Sequence, residues 1–335
     1  MPSGKAPNPL AWINGLLLKL KLDPYIMAII AFVVLASLFP VSGTAALALG
    51  WVTKITIGLL FFLHGARLPR EAVVAGLGHW RLHLTIIGIT FALFPLLGLT
   101  TSLLPPSILP RELAQGMLFL CCLPSTVQSS IAFTSAARGN VAAAVVAASA
   151  SNLLGVFLTP LLVGILLHAQ GLGISMGAVK AIIIQLLIPF ALGQASRRWT
   201  GAFVLEHKSI LSLFDRSSIL LVVYGAFSGA VTAGLWTKVG AKDLLTLLVL
   251  SAVLLTTVLA LSALIAKSLG FAKADEIAIV FAGSKKSLAS GVPIAGILFS
   301  TATAGVMVLP LMIFHQLQLM ACALIAQRYG RRDEP

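Results

Sequence analysis

The sequence predicts an all-α, polytopic membrane protein of ten transmembrane helices. Three observations carry this: apolar runs recur along almost the whole chain, charge is confined to the gaps between them, and two runs carry matching interruptions. Of 335 residues, 59% are hydrophobic and 10% charged, and the mean hydropathy is +1.03. One water-soluble core cannot absorb that much apolar surface. Stretches of roughly 18 or more apolar residues are each long enough to cross a ~30 Å hydrocarbon layer as a helix.

Residues 1–23 read as a cytoplasmic or interfacial lead-in, with Lys5, Lys19 and Lys21 around an amphipathic piece from Leu10 to Leu22. No small-residue cleavage site follows a short apolar core, so a removed signal peptide is not expected. Spans are then expected at residues 24–40, 45–63, 82–103, 113–133, 141–167, 174–193, 217–236, 243–266, 274–297 and 303–326, followed by a basic tail, 327–335. With both termini in the cytoplasm, Lys5, Lys19, Lys21, Arg67, Arg70, Arg81, Arg138, Arg197, Arg198, Lys208, Arg216, Lys267, Lys273, Arg328, Arg331 and Arg332 fall on that side. Lys54, Arg111, Lys180, Lys238 and Lys242 fall opposite. This asymmetry is the one expected of a multi-pass protein of the cell inner membrane with an even number of spans. The net charge of +13 is scattered between apolar spans rather than gathered in one basic run, which argues against a nucleic-acid partner.

A Gly-Val-x-x-x-Pro-Leu pattern occurs at Gly155 to Leu161 and again at Gly305 to Leu311. In each case the preceding span is interrupted by helix breakers and polar residues: Pro124-Ser125-Thr126-Val127-Gln128-Ser129-Ser130 in the fourth, Gly283-Ser284-Lys285-Lys286-Ser287 in the ninth. Corresponding breaks point to a five-plus-five inverted repeat, residues 24–168 and 169–326, because an odd number of spans per half inverts the second half. Backbone groups freed at such breaks cannot be satisfied by lipid and should line a cavity, which makes the breaks the candidate site.

All ten acidic residues fall at span ends, in loops or in the tail, so no carboxylate is expected at the midplane. That weighs against a cation exchanger built on a buried Asp or Glu and against an intramembrane aspartyl protease. Phosphate-cradling loops, nucleophile elbows and zinc-protease helices are absent from the sequence, and an enzyme is not expected. Cys121, Cys122 and Cys322 sit in apolar stretches and read as packing residues. His79 and His83, four apart, flank Trp80 and Arg81 at a cytoplasmic entry, so they read as interfacial; no metal or cofactor is expected. His315, Gln316 and Gln318 read as helix-packing residues.

Lys285 and Lys286 are the sharpest signal, since an ammonium in hydrocarbon costs several kcal/mol unless it faces a partner, water or ligand. They read as a cation site or an anion anchor; the alternative is a displaced span with both lysines snorkelling to an interface. At helical spacing adjacent side chains diverge by about 100°, so one of the two should face the cavity. Ser284, Ser287, Thr126, Gln128, Ser129, Ser130 and Asn152 offer oxygens that could ligate an ion or bind a substrate, or serve as interhelical glue. Pro124 and Gly283 mark the helix breaks.

The polar break from Leu123 to Ser130, the turn Ala137-Arg138-Gly139-Asn140-Val141, the stretch Gly155 to Pro160, and Phe281-Ala282-Gly283-Ser284-Lys285-Lys286-Ser287-Leu288-Ala289 together resemble the bile acid:sodium symporter superfamily, in its branch of SBF-like membrane proteins. The resemblance implies fourth and ninth helices that cross near the midplane. It also implies a core domain of helices 3–5 and 8–10, and a panel domain of helices 1, 2, 6 and 7 that rocks against it. The sodium-coupled branch offers a Glu and a Gln from the ninth helix, where this sequence has Phe281 or Ala282 and Lys285. Where that branch has hydroxyls in the fifth helix, this sequence has Ala144 and Ala148. The expectation is therefore a secondary active transporter of a small organic anion, working by alternating access. In it the Lys285 ammonium takes the place of a coupling sodium and braces the broken helices against their carbonyls, making transport sodium-independent or proton-coupled. The alternatives are a sodium-coupled symporter with a remodelled ion site, or a non-transporting regulatory membrane protein of the same fold.

Overall fold

The structure, a computed structural model, describes residues 24–67, 79–168, 180–181 and 183–331. The expected lead-in, the residues around Arg70, the link between the two expected repeats and the end of the tail lie outside these. Among the described residues the chain is helical without strands. In chain order the helices are α1 Pro24–Leu38, α2 Gly43–Arg67, α3 Trp80–Thr101, α4 Arg111–Cys121, α5 Val127–Ala136, α6 Val141–His168 and α7 Ile188–Glu206. They continue with α8 Lys208–Thr232, the single turn α9 Leu235–Lys238, α10 Ala241–Ser268, α11 Lys273–Gly283, α12 Leu288–Leu298 and α13 Thr301–Gly330. Six of them (α2, α3, α6, α8, α10 and α13) are long and apolar enough to cross a membrane.

The helix ends follow local chemistry. Acids sit in first turns, where the helix N-terminus favours negative charge: Glu112 on α4, Asp243 on α10, Asp275 and Glu276 on α11. The turn between α5 and α6 passes through Arg138 at φ 54°, and the Asn140 side chain then accepts from the Ala143 N–H to cap α6. Asn140 also ties this turn to α11, donating from its amide nitrogen to Asp275 at 2.7 Å and from its backbone to the Ala274 carbonyl at 2.9 Å.

One sequence expectation is corrected here. The residues between 193 and 217 do not form a loop: α7 runs on to Glu206 and α8 starts at Lys208, so Arg197, Arg198, Lys208 and Arg216 are helical. Apolar length finds only the part of a helix that lipid covers, and these ends are amphipathic, with Arg198 stacked on Trp199 and Arg216 over Tyr25. The stretches 113–133 and 274–297 are interrupted, as their helix breakers predict: each is two helices, α4 with α5 and α11 with α12, separated by non-helical residues.

Helix α2 packs along α7, and α8 packs on α1 and α2; α13 packs on α4, α10 and α12, and α8 also meets α12 and α13. At the α2–α7 seam, a Cβ on Gly65 would run into the Phe190 carbonyl and a Cβ on Gly193 into the Phe62 carbonyl, so the two backbones touch directly. Beside the seam, Arg67 and Asp215 form an ion pair that links α2 to α8. Large apolar side chains such as Leu47, Trp51, Leu192, Leu245 and Leu264 stay exposed on the outer faces, as a lipid-facing surface requires. Replacing Gly193 with leucine should push α2 off α7 and cost about 3 kcal/mol. The expected result is a lower unfolding midpoint for the detergent-purified protein, with the same change at Gly50, where a Cβ would meet open space, having little effect.

Candidate functional site

The two interrupted regions lie against each other. Residues 122–126, between α4 and α5, meet residues 284–287, between α11 and α12. The Ser287 N–H donates to the Pro124 carbonyl at 2.9 Å, and the Thr126 hydroxyl donates to the Lys286 carbonyl at 2.9 Å. The Ser125 hydroxyl reaches the Ala282 carbonyl at 2.5 Å, and the Ser130 hydroxyl reaches the Phe281 carbonyl at 3.2 Å.

Almost every carbonyl freed where α4 unwinds has an assigned donor. Lys286, wholly buried, sends its ammonium into the C-terminal end of α4, where it donates to Cys121 at 2.7 Å and Leu123 at 2.7 Å, and across to Thr90 of α3 at 2.8 Å. An ammonium has three N–H bonds, and each meets one carbonyl. Placement at a helix C-terminus adds the attraction of the macrodipole's negative end. Thr90 lies in the π-turn Ile89–Leu93 of α3, a wider turn of the kind that accompanies insertion into the helical ladder. The Lys286 ammonium also stands 4.1 Å from the centre of the Phe94 ring. Of the remaining carbonyls, Cys122 accepts from the Thr159 hydroxyl at 2.8 Å, and Ser125 accepts from the Asn152 amide at 2.7 Å.

Each break is also clipped, at one residue, by a side chain of the helix that follows its half-helices. The Ser125 N–H donates to the Ser151 hydroxyl at 3.0 Å while its carbonyl takes the Asn152 amide. The Lys286 N–H donates to the Gln318 side-chain oxygen at 2.9 Å, and its carbonyl accepts from the Gln318 amide at 2.9 Å. Gln318 is wholly buried, and its amide engages that peptide as a neighbouring strand would. Asn152 extends the network by accepting from Ser290 at 2.9 Å, with Ser287 3.1 Å further on. The Pro124 ring is seated on Gly155, where a Cβ would come within 2.6 Å of it.

The expected site residues therefore divide. Thr126, Ser130, Asn152, Ser287, Lys286 and Pro124 are drawn into the meeting of the breaks, and Gly283 closes α11 beside it. Gln128 stays exposed on α5. The carbonyl bracing expected of Lys285 is made by Lys286: residues 284–287 are not helical, so the spacing of a helix does not say which lysine turns toward α4. Lys285 is also wholly buried, but its ammonium has no oxygen or nitrogen acceptor; it stands 4.3 Å from the Phe133 ring centre and 5.6 Å from that of Phe281, with only the weakly accepting Cys322 thiol beside it. Ser284 and Ser129 bury hydroxyls that are likewise unpaired. Sequence reasoning missed Ser125, Thr159 and Gln318, and took His315 and Gln318 for packing residues, whereas both reach the Lys286 carbonyl. The sequence signal for Gln318 goes no further than this: a glutamine deep in an apolar span needs a buried partner, and the sequence does not name which.

Comparison with known proteins places the chain among membrane transporters. The profile of the SBF-like CPA transporter family matches residues 23–331. The chain is 58% identical to an uncharacterized protein of Pseudomonas aeruginosa over 314 residues, 93% of this chain and 94% of the other. It is 54% identical to a protein of Escherichia coli named "Putative symporter YfeH" over 313 residues, again 93% and 94% of the two chains. It is 26% identical to a zebrafish (Danio rerio) protein named "Sodium/bile acid cotransporter 7" over 316 residues, 91% and 93%.

The two lysines should respond oppositely to removal of charge. Lys286→Met orphans three carbonyls and should cost about 3 kcal/mol or more. Lys285→Met deletes an unpaired buried cation and should be neutral or stabilising, within about 1 kcal/mol. Unfolding midpoints of the two variants in detergent check this. Gln318→Leu should fall with Lys286→Met, by about 2 kcal/mol, because it leaves the buried Lys286 N–H without its acceptor.

Proposed function

The chain belongs to the SBF-like CPA transporter family, and from that premise we propose that it is a secondary active transporter of a small organic anion whose coupling sodium has been replaced by the Lys286 ammonium. In this reading the chain spans the inner membrane ten times with both termini in the cytoplasm, as two five-span inverted repeats. The interrupted fourth and ninth spans, α4–α5 and α11–α12, cross at the centre. Helices α1, α2, α7 and α8 form a panel, and the remaining helices form a core that rocks against it to give alternating access. The packing of α2 on α7 and of α13 on α4, α10 and α12 supports that division.

One observation carries the coupling: the Lys286 ammonium donates to three carbonyls at 2.7–2.8 Å, on two separate segments. Oxygens converging from unwound backbone are what a bound sodium needs in transporters with broken helices. A covalently attached cation already satisfies these oxygens, so a sodium ion would have to displace it against charge repulsion. Transport is then sodium-independent, or coupled to protons. The name of the zebrafish relative includes sodium and bile acid, but at 26% identity neither is carried over to this chain. Among the described residues no His, Cys, Asp or Glu cluster could hold a metal, and no cofactor enters the reading.

The test is thermal unfolding of the purified protein with sodium exchanged for potassium or choline at constant ionic strength. The wild type should show no sodium-specific rise, whereas Lys286→Ala, with its carbonyls vacated, should gain a saturable one. A sodium-specific rise in the wild type would overturn the substitution and favour a remodelled ion site.

A further inference from the structure

With Lys286 holding the crossing, Lys285 is left as a buried cation with no structural task. It is 0% exposed, its ammonium has no oxygen or nitrogen acceptor, and its surroundings are the rings of Phe133 and Phe281 and the weakly accepting Cys322 thiol. An unpaired ammonium in so dry a place costs several kcal/mol, which aromatic faces offset only in part. Beside it in the same break, Ser284 buries an unpaired hydroxyl. Ser129, one helical turn before Phe133 on α5, does the same, and so does Thr134, one turn after Ser130, whose own hydroxyl reaches the Phe281 carbonyl. The break and the α5 face that flank this ammonium thus carry a surplus of hydrogen-bond donors.

We propose that Lys285, with the hydroxyls of Ser129 and Ser284, is the anchor for the carboxylate of the transported substrate. The assignment rests on the transporter reading above and names the group by which that substrate is held. The donor set calls for an anion. One uncompensated charge calls for a monoanion, since a dianion would leave net negative charge in a site that already excludes water. Ammonium and hydroxyl donors together suit a carboxylate, whose two oxygens accept about four hydrogen bonds. In this conformation the anchor is sealed on one side by a column of rings. Phe133 and Phe281 lie 6.0 Å apart, Phe281 and Tyr329 6.3 Å apart, and the half-exposed Lys273 caps Tyr329 at 4.9 Å.

The test needs no knowledge of the natural substrate. Potassium acetate, benzoate, sulfate and phosphate are titrated into the detergent-purified full chain at constant ionic strength, and the unfolding midpoint is followed for the wild type and variants. A saturable rise with acetate or benzoate is expected in the wild type and in Lys267→Gln, an exposed-charge control. Lys285→Met should lose it. Ser129→Ala combined with Ser284→Ala retains the cation and should weaken the apparent affinity about tenfold, roughly 1.4 kcal/mol; it keeps the question answerable if Lys285→Met does not fold. A full carboxylate response in Lys285→Met, or an unchanged affinity in the serine pair, would overturn the anchor while leaving the transporter reading intact. A response to sulfate or phosphate alone would overturn the monoanion assignment. No anion response together with a sodium-specific rise would overturn both the anchor and the sodium-free reading.

Discussion

The fold depends on one constraint: a helix that unwinds inside the protein must find a donor for every carbonyl it releases. Between Cys121 and Ser125 the donors are an ammonium, two hydroxyl- or amide-bearing side chains of α6, and one backbone N–H from the facing break. Low dielectric makes each of these bonds strong and each omission costly, so the arrangement works only as a completed set. It explains why a glutamine lies deep within α13. Gln318 pairs both the N–H and the carbonyl of the Lys286 peptide, which lies between two half-helices.

The two breaks solve the same problem by the same means. Each is clipped at one residue, through both N–H and C=O, by side chains of the helix that follows: Ser151 and Asn152 hold Ser125, and Gln318 holds Lys286. The residues differ, and only the pattern of bonds is shared. What distinguishes the halves is the cation. The second break reaches back with Lys286 to neutralise the end of α4, whereas the first reaches forward with hydroxyls only, from Ser125, Thr126 and Ser130. The asymmetry puts both lysines in one break and leaves Lys285 behind the rings that close one side.

Much of this was legible in the sequence because it is written in apolar length and in breakers. The helices that cover lipid, the interruption at Pro124 and the interruption at Gly283 follow from composition alone. Three things were not legible, each for a definite reason. Which lysine meets the carbonyls depends on the path of four non-helical residues, and helical periodicity says nothing about those. The extents of α7 and α8 around His207 were missed because their ends are amphipathic, so that basic residues read as a loop. Gln318 and Thr159 were passed over because a lone polar side chain in an apolar span is equally compatible with ordinary packing until its partner is known.

The backbone contact between α2 and α7 has a consequence for how the protein can change over generations. In an ordinary core, a residue that grows by a methyl group can be accommodated if its neighbour shrinks, and the two positions drift together. At Gly65 and Gly193 the neighbour is a main-chain carbonyl, that of Phe190 or Phe62, which every amino acid carries. No substitution at 190 or 62 makes room. The pair is closed to compensatory evolution, and a change at either glycine can be rescued only by moving a whole helix.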